Sequence, residues 1–340
     1  MLMNRRGFVL RTSMVTLGGC LAPSALAREG LARVGRTRLG LEEQILDWAK
    51  LTGQTKAVVN LALGGNSVMV VSGGEALVID SKFPYLGPAL REDAKAEAGG
   101  DSVSLLNTHH HGDHTGGNSA FVGRGKTYAH PKAIERIRGQ IDNYRTGAEA
   151  AVGQVSQNLA GNRRAIELAV EVAENAANMS ADDFVPTDAV EGGSRIDVGE
   201  LTLDIHHFGA GHTDNDIVVH IASENVVHTG DLVFNGLHPY FDPRGGVTAK
   251  GWIRSLSSVL DLCDDETTVV PGHGPVGGRE IIEKARGYLE QLVEAVGAEI
   301  EKGTSKEDAQ QMTWPFMDGL GFEQVKSRAV GAVYDQIKGS

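Results

Sequence analysis

Four of the chain's twelve histidines fall within the six residues His109 to His114, in the run Thr108-His109-His110-His111-Gly112-Asp113-His114. The run follows directly on the short apolar stretch 103–107, which reads as a buried strand, so the histidines gather where a strand ends. There, alternate residues point the same way: His109 and His111 can share a metal ion while His110 faces away. Asp113 and His114 fall in the following turn, where they can serve a second ion. Neutral imidazole and carboxylate are ligands that zinc takes. One short segment cannot surround two ions, so the fold must carry other strand ends to the same place. Three segments fit that demand: Gly211-His212-Thr213 after a strand ending at Phe208, Thr229-Gly230-Asp231 after 226–228, and Gly272-His273-Gly274 after 267–270. Glycine in each permits a tight turn that projects the polar side chain from the strand end.

The rest of the chain supplies such strands. Runs 58–63, 67–71 and 76–80 are separated by Gly64-Gly65-Asn66 and Gly73-Gly74-Glu75, a meander of antiparallel strands. A helix is predicted over 88–98. Residues 131–180 change to helical spacing, a helical insertion that could roof a site or face a partner. Strands return as a hairpin over 194–205 turning at Val198-Gly199-Glu200, then at 217–221 and 226–228. A helix over 248–263 leads to the strand 267–270. From Arg279 the tail is helical to about 338, with Ile282, Leu289, Leu292, Val296 and Ile300 on one stripe. Two strand series, each closed by helices, predict an α/β fold: a four-layer αββα sandwich with a helical insertion. With 41% hydrophobic and 22% charged residues and no linker, repeat or long charge block, residues 28–340 are expected to form a single domain, its core about 58–278.

His109-x-His111-x-Asp113-His114, His212, Asp231 and His273, in that order, resemble the five metal-binding motifs of the metallo-β-lactamase fold family, over about 58 to 278. The resemblance implies two zinc ions per chain, with iron or manganese as alternatives. It implies that His109, His111 and His212 hold one ion, that Asp113, His114 and His273 hold the other, and that Asp231 bridges them. Paired metals share a water and supply hydroxide without a dedicated protein base. Asp113 can orient that hydroxide, so it is a catalytic candidate as well as a ligand, and the metals accept the oxyanion that develops on a carbonyl. His238 and Tyr240, just after Asp231, are candidates for substrate contact. His130, His206, His207, His220 and His228 read as surface or supporting residues.

With the resemblance, this pattern leads to the expectation of a dinuclear zinc-dependent hydrolase attacking an ester, lactone or amide carbonyl of a small molecule. Fold and metals do not name the substrate. The best-known lactamase branch carries cysteine where Asp231 stands, which ranks β-lactams second. The segments 108–114 and 229–231 also resemble glyoxalase II thioesterases, whose glutathione-binding basic residues have no clear counterpart here. Persulfide dioxygenases share the fold with a single iron, and flavodiiron proteins place glutamate where His111 stands. A metal-binding pseudoenzyme is the non-catalytic alternative.

The first 27 residues read as a twin-arginine export signal: Arg5-Arg6 precede a weakly apolar stretch that closes on Ala25-Leu26-Ala27. The expected destination is the periplasm. Leu17-Gly18-Gly19-Cys20 resembles a lipoprotein cleavage box, leaving a lipid anchor at Cys20 as an alternative. A transmembrane helix is not expected, since Arg11 interrupts the apolar run. Removing 1–27 deletes three arginines and no acid, taking the net charge from −12 to −15. An acidic surface repels phosphate backbones and argues against nucleic acid as partner. Cleavage would also leave Cys263 alone, without an intrachain disulfide, as an inert residue on an apolar helix face.

Overall fold

The computed structural model describes residues 44–339. The segment 1–27, with Cys20, lies outside the described residues. Seven strands form one sheet in chain order: β1 (Ala49–Lys50), β2 (Thr55–Val58), β3 (Ser67–Ser72), β4 (Glu75–Ile79), β5 (Val103–Leu106), β6 (Thr127–Ala129) and β7 (Asp188–Ala189). The first four pair antiparallel and the last four parallel. A second sheet contains β8 (Arg195–Val198), β9 (Leu201–His206), β10 (Val218–Ile221), β11 (Val226–His228) and β12 (Thr268–Val270), antiparallel except for the parallel pair β11–β12.

Strand alternation sorts the apolar residues into layers. Val68, Val70, Leu77, Ile79 and Leu106 meet Leu203, Ile205, Val219 and Ile221 between the sheets. The opposite face of the first sheet, Met69, Val78 and Leu105, packs on α1 (Gly87–Ala98). One-turn α2 (Gly112–Thr115) follows β5, and α3 (Pro131–Arg138), α4 (Ile141–Asn158) and α5 (Arg163–Ala176) come next. Through Ala151, Val155, Leu168 and Ala169, α4 and α5 join the same outer layer as α1. The second sheet's outer face, Val218, Val227 and Val269, packs on α6 (Ala249–Leu260) and α7 (Arg279–Glu301). After them come α8 (Lys306–Ala309) and α9 (Lys326–Lys338). The result is helices, sheet, sheet, helices, as the strand pattern predicted.

Two local expectations change. The strand expected over 58–63 ends at Val58, and Leu61–Leu63 is a 3-10 turn, because the Asn60 side chain accepts the Ala62 N–H and bends the chain. The helix expected through 263 ends at Leu260, which puts Cys263 in the loop that follows, half-buried with its thiol donating to the Val259 carbonyl. Of the helices over 131–180, α4 and α5 clothe the outer face of the first sheet, while Arg136 on α3 pairs with Asp214 at 2.8 Å and Gln140, between α3 and α4, donates to the His110 carbonyl. No described helix is long and apolar enough to cross a membrane.

β9, β11 and β12 run in one direction, so their C-terminal ends open on one edge of the second sheet. The Ile217 N–H donates to the Thr108 carbonyl at 2.7 Å, which ties the end of β5 to that edge.

Candidate metal centre

Register fixes the floor of the site. Ile79 on β4 lies beside Leu106 on β5, so Asp80 is carried alongside Thr108. The fully buried Asp80 carboxylate accepts the Thr108 N–H and hydroxyl, each at 2.7 Å, and takes His114 Nδ1 at 2.7 Å. It thereby clamps both ends of the histidine run. Sequence reasoning missed Asp80; the available signal was an acid closing the apolar run Leu77-Val78-Ile79.

Above this floor two groups form. His111 Nδ1 lies 3.1 Å from His109 Nε2 and 3.0 Å from His212 Nε2, and Asp231 Oδ2 lies 3.4 Å from His212 Nε2. In the second group His273 Nε2 lies 3.3 Å from His114 Nε2 and 3.2 Å from Asp113 Oδ2. Asp231 touches both groups, since its Oδ1 is 3.1 Å from His114 Nε2. The structure therefore brings together all seven residues singled out in the sequence: His109, His111, Asp113, His114, His212, Asp231 and His273.

The donor set fits metal ions. Three ring nitrogens crowd one point with a carboxylate oxygen, an arrangement that imidazoles do not adopt for hydrogen bonding among themselves. Asp231 Oδ1 is buried and lacks a well-directed hydrogen bond, with His114 Nε2 beside it at 3.1 Å, and such an oxygen is costly to bury without a well-placed partner. The far ring nitrogens of His109, His111, His114 and His212, by contrast, are engaged, while His273 Nδ1 is buried without a hydrogen-bond partner. His111 Nε2 meets Asp242 at 3.1 Å, His212 Nδ1 meets the Tyr240 carbonyl at 3.0 Å, and His109 Nδ1 meets Thr108 Oγ1 at 3.1 Å. Such contacts fix tautomer and ring orientation and leave the inward nitrogen free to ligate. Asp242 is the second supporting acid that sequence reasoning missed.

Electrostatics follow the same division. Burial, with His114 beside it, holds His109 well below its ordinary pKa, and burial pushes His212 down to about 3 against the pull of Asp231. Burial also works against charge on His114 and His273. There the carboxylates win: Asp231, Asp113 and Asp80 hold His114 well above its usual range, and Asp231 with Asp113 lifts His273 to about 9. Asp113 and Asp231 are lowered despite burial, chiefly by His114. Without a cation the site keeps protons on His114 and His273. A metal ion would displace them.

Glycine makes room twice. A Cβ on Gly65 would sit 2.1 Å from the His114 ring, and one on Gly272 would sit 2.0 Å from Asp231 Oδ1. Behind the metal-facing rings stand aromatic walls: Phe234 stacks on His273 at 5.1 Å, and Trp252 meets His212 edge-on at 5.2 Å.

The two substrate candidates part company. Tyr240 borders the centre, its ring 5.7 Å from that of His111. His238 does not reach it: the ring is fully buried, with Nδ1 2.9 Å from the Tyr288 hydroxyl and Nε2 3.6 Å from Glu323. The turn after Asp231 sends His238 towards α7 and the C-terminal segment, where it serves as a packing and hydrogen-bonding anchor. His110 points away from the centre to Asn215, as strand alternation predicted. His130 and His207 stack on each other at 4.4 Å, and His228 Nδ1 bonds the Val270 carbonyl within the second sheet.

Residues 61–273 match the family model of the metallo-beta-lactamase superfamily. The chain is similar to the acyl-coenzyme A thioesterase MBLAC2 of Homo sapiens, 23% identical over 238 residues, which are 69% of this chain and 79% of that one. It is also similar to the metallo-beta-lactamase type 2 of Bacteroides fragilis, 26% identical over 100 residues, 29% of this chain and only 40% of that relative's length. Among solved structures, the metallo-beta-lactamase from Pontibacter korlensis superposes with a TM-score of 0.52 at 16% identity, covering 72% of this chain and 99% of that one. That likeness concerns the fold.

Proposed function

This chain belongs to the metallo-beta-lactamase superfamily, and from that premise we propose that it is a dinuclear zinc hydrolase attacking the carbonyl of an ester, lactone or amide. The observation that carries the reading is Asp231, whose carboxylate lies against both histidine groups. Two zinc ions there would make a water acidic near neutral pH and polarise a carbonyl. His109, His111 and His212 would hold one ion, Asp113, His114 and His273 the other, with Asp231 common to both. Asp113 keeps a side chain 29% exposed beside buried histidines, so it faces the solvent side and can orient the attacking water. Phe234 and Trp252 keep water from the backs of His273 and His212. Tyr240 flanks the space in front of His111.

A thioester is the second reading, favoured by the 238-residue similarity to the human thioesterase. A β-lactam is one more strained amide within the first. We also propose that residues 1–27 direct export by the twin-arginine route, so that Arg5→Lys with Arg6→Lys strands the precursor in the cytoplasm. Cys20-dependent lipid labelling would replace cleavage after Ala27 with a membrane anchor.

The test is elemental analysis together with a hydrolysis panel of esters, lactones, thioesters and nitrocefin. Two zinc ions per chain are expected, with His212→Ala and His273→Ala emptying different sites. Asp231→Ala should lose at least one ion and lower kcat by about a hundredfold on any substrate turned over. A single iron, with no gain on adding zinc, overturns the dinuclear reading.

A further inference from the structure

Past residue 273, beyond the stretch matched by the family model, the chain returns to the metal centre. The Gly321 N–H donates to the Gly236 carbonyl at 2.9 Å and the His238 N–H to the Gly321 carbonyl at 2.8 Å, pinning the C-terminal segment against the loop that follows Asp231. Phe322 then adopts φ +62, a left-handed backbone that a bulky side chain rarely takes, and sets its ring 5.9 Å from that of His273. Six residues on, in the first turn of α9, Arg328 donates a hydrogen bond to the Tyr240 hydroxyl, with its guanidinium 5.0 Å from the centre of the Tyr240 ring. Tyr240 in turn abuts His111 and holds His212 through its carbonyl.

Arg328 is half-buried and meets no carboxylate among the described residues, in a chain of net charge −12. Its neighbour Lys326 pairs with Glu323 at 2.9 Å. A guanidinium is permanently charged, and in the first turn of a helix it opposes the helix dipole. Once cations fill the neighbouring donor set, it would be repelled again unless an anion lay between. Tyr240, a neutral partner, occupies one N–H and steadies the fork without compensating its charge.

We propose that Arg328 is a specificity residue that receives a carboxylate on the substrate, so that the site selects anionic acyl compounds. The inference rests on the hydrolase reading for its substrate class and on the planar fork of Arg328, which matches a carboxylate in two parallel hydrogen bonds.

The test compares zinc-loaded wild type, Arg328→Met and Arg328→Lys on 4-nitrophenyl hydrogen glutarate and 4-nitrophenyl valerate, with calorimetric titration of glutarate and neutral glutaramide at fixed ionic strength. Wild type should prefer the anionic ester in kcat/KM and bind glutarate over glutaramide. Arg328→Met should cut both preferences about tenfold or more, and Arg328→Lys should restore part of each. Thermal melts report whether α9 stays folded, with Arg328→Gln in reserve if the Met variant does not. Ester turnover with both preferences unmoved by Arg328→Met overturns the carboxylate site and leaves the hydrolase intact. No turnover of either ester, with glutarate affinity still lost in Arg328→Met, supports the carboxylate site and counts against ester hydrolysis.

Discussion

Replacing Asp80 by asparagine tests whether the histidine run is held by its floor. The substitution preserves size, and Oδ1 can still accept the Thr108 N–H now made at 2.7 Å. Where Oδ2 stood, an NH2 group faces two donors, the Thr108 hydroxyl and His114 Nδ1, both at 2.7 Å. Thr108 can rotate its hydroxyl away. His114 can keep a hydrogen bond only by turning Nδ1 into an acceptor, which moves the proton to Nε2. That nitrogen lies 3.1 Å from Asp231 Oδ1 and 3.3 Å from His273 Nε2, where a metal would sit. A protonated nitrogen cannot ligate. Metal affinity at the site of Asp113, His114 and His273 should fall by about tenfold to a hundredfold, the usual cost of losing a carboxylate behind a ligating histidine. Two charge-assisted hydrogen bonds are also lost from a buried group, at about 1.5–3 kcal/mol each, so metal-free protein should be less stable by about 3–6 kcal/mol. Competition against a chelator of known affinity gives the first number, and urea unfolding under chelator gives the second. Unchanged affinity for both metal equivalents in a folded Asp80→Asn protein would refute the argument that Asp80 sets the His114 tautomer.

Gly65→Ala should displace the His114 ring, because the new Cβ would come within 2.1 Å of it; metal analysis should show one equivalent lost, and full occupancy would show that the loop can withdraw. For metal-free protein the pH dependence has a definite sign. His273 is raised to about 9 and His114 is also raised, so their contribution is complete below the unfolded value of about 6.5 and is lost as pH climbs towards 9. Unfolding midpoints under chelator should therefore fall across that window, while zinc, which replaces the protons, should flatten the slope; a midpoint that rises with pH in metal-free protein would contradict the carboxylate-held protons.

Much of the centre was legible because its grammar is local. His109 and His111 are two residues apart at the end of an apolar run, and glycine-flanked His212, Asp231 and His273 each follow a strand, so residue type and strand alternation suffice to nominate them. The layered fold was legible for a similar reason, since alternating apolar positions need sheets and the amphipathic segments need a sheet to cover. Local patterning failed where a short side-chain hydrogen bond competes with extended backbone, as at Asn60, and where position in the chain was taken for position in space, as at His238. Tertiary structure alone decided which groups support the ligands: Asp80 reaches His114 across 34 residues, Asp242 reaches His111 across 131, and Arg328 reaches Tyr240 across 88. An isolated aspartate or arginine carries no local sign of such a partner, because its energy depends on what burial strips away and what charge lies opposite, and both are set only when the sheets and the C-terminal helices have packed.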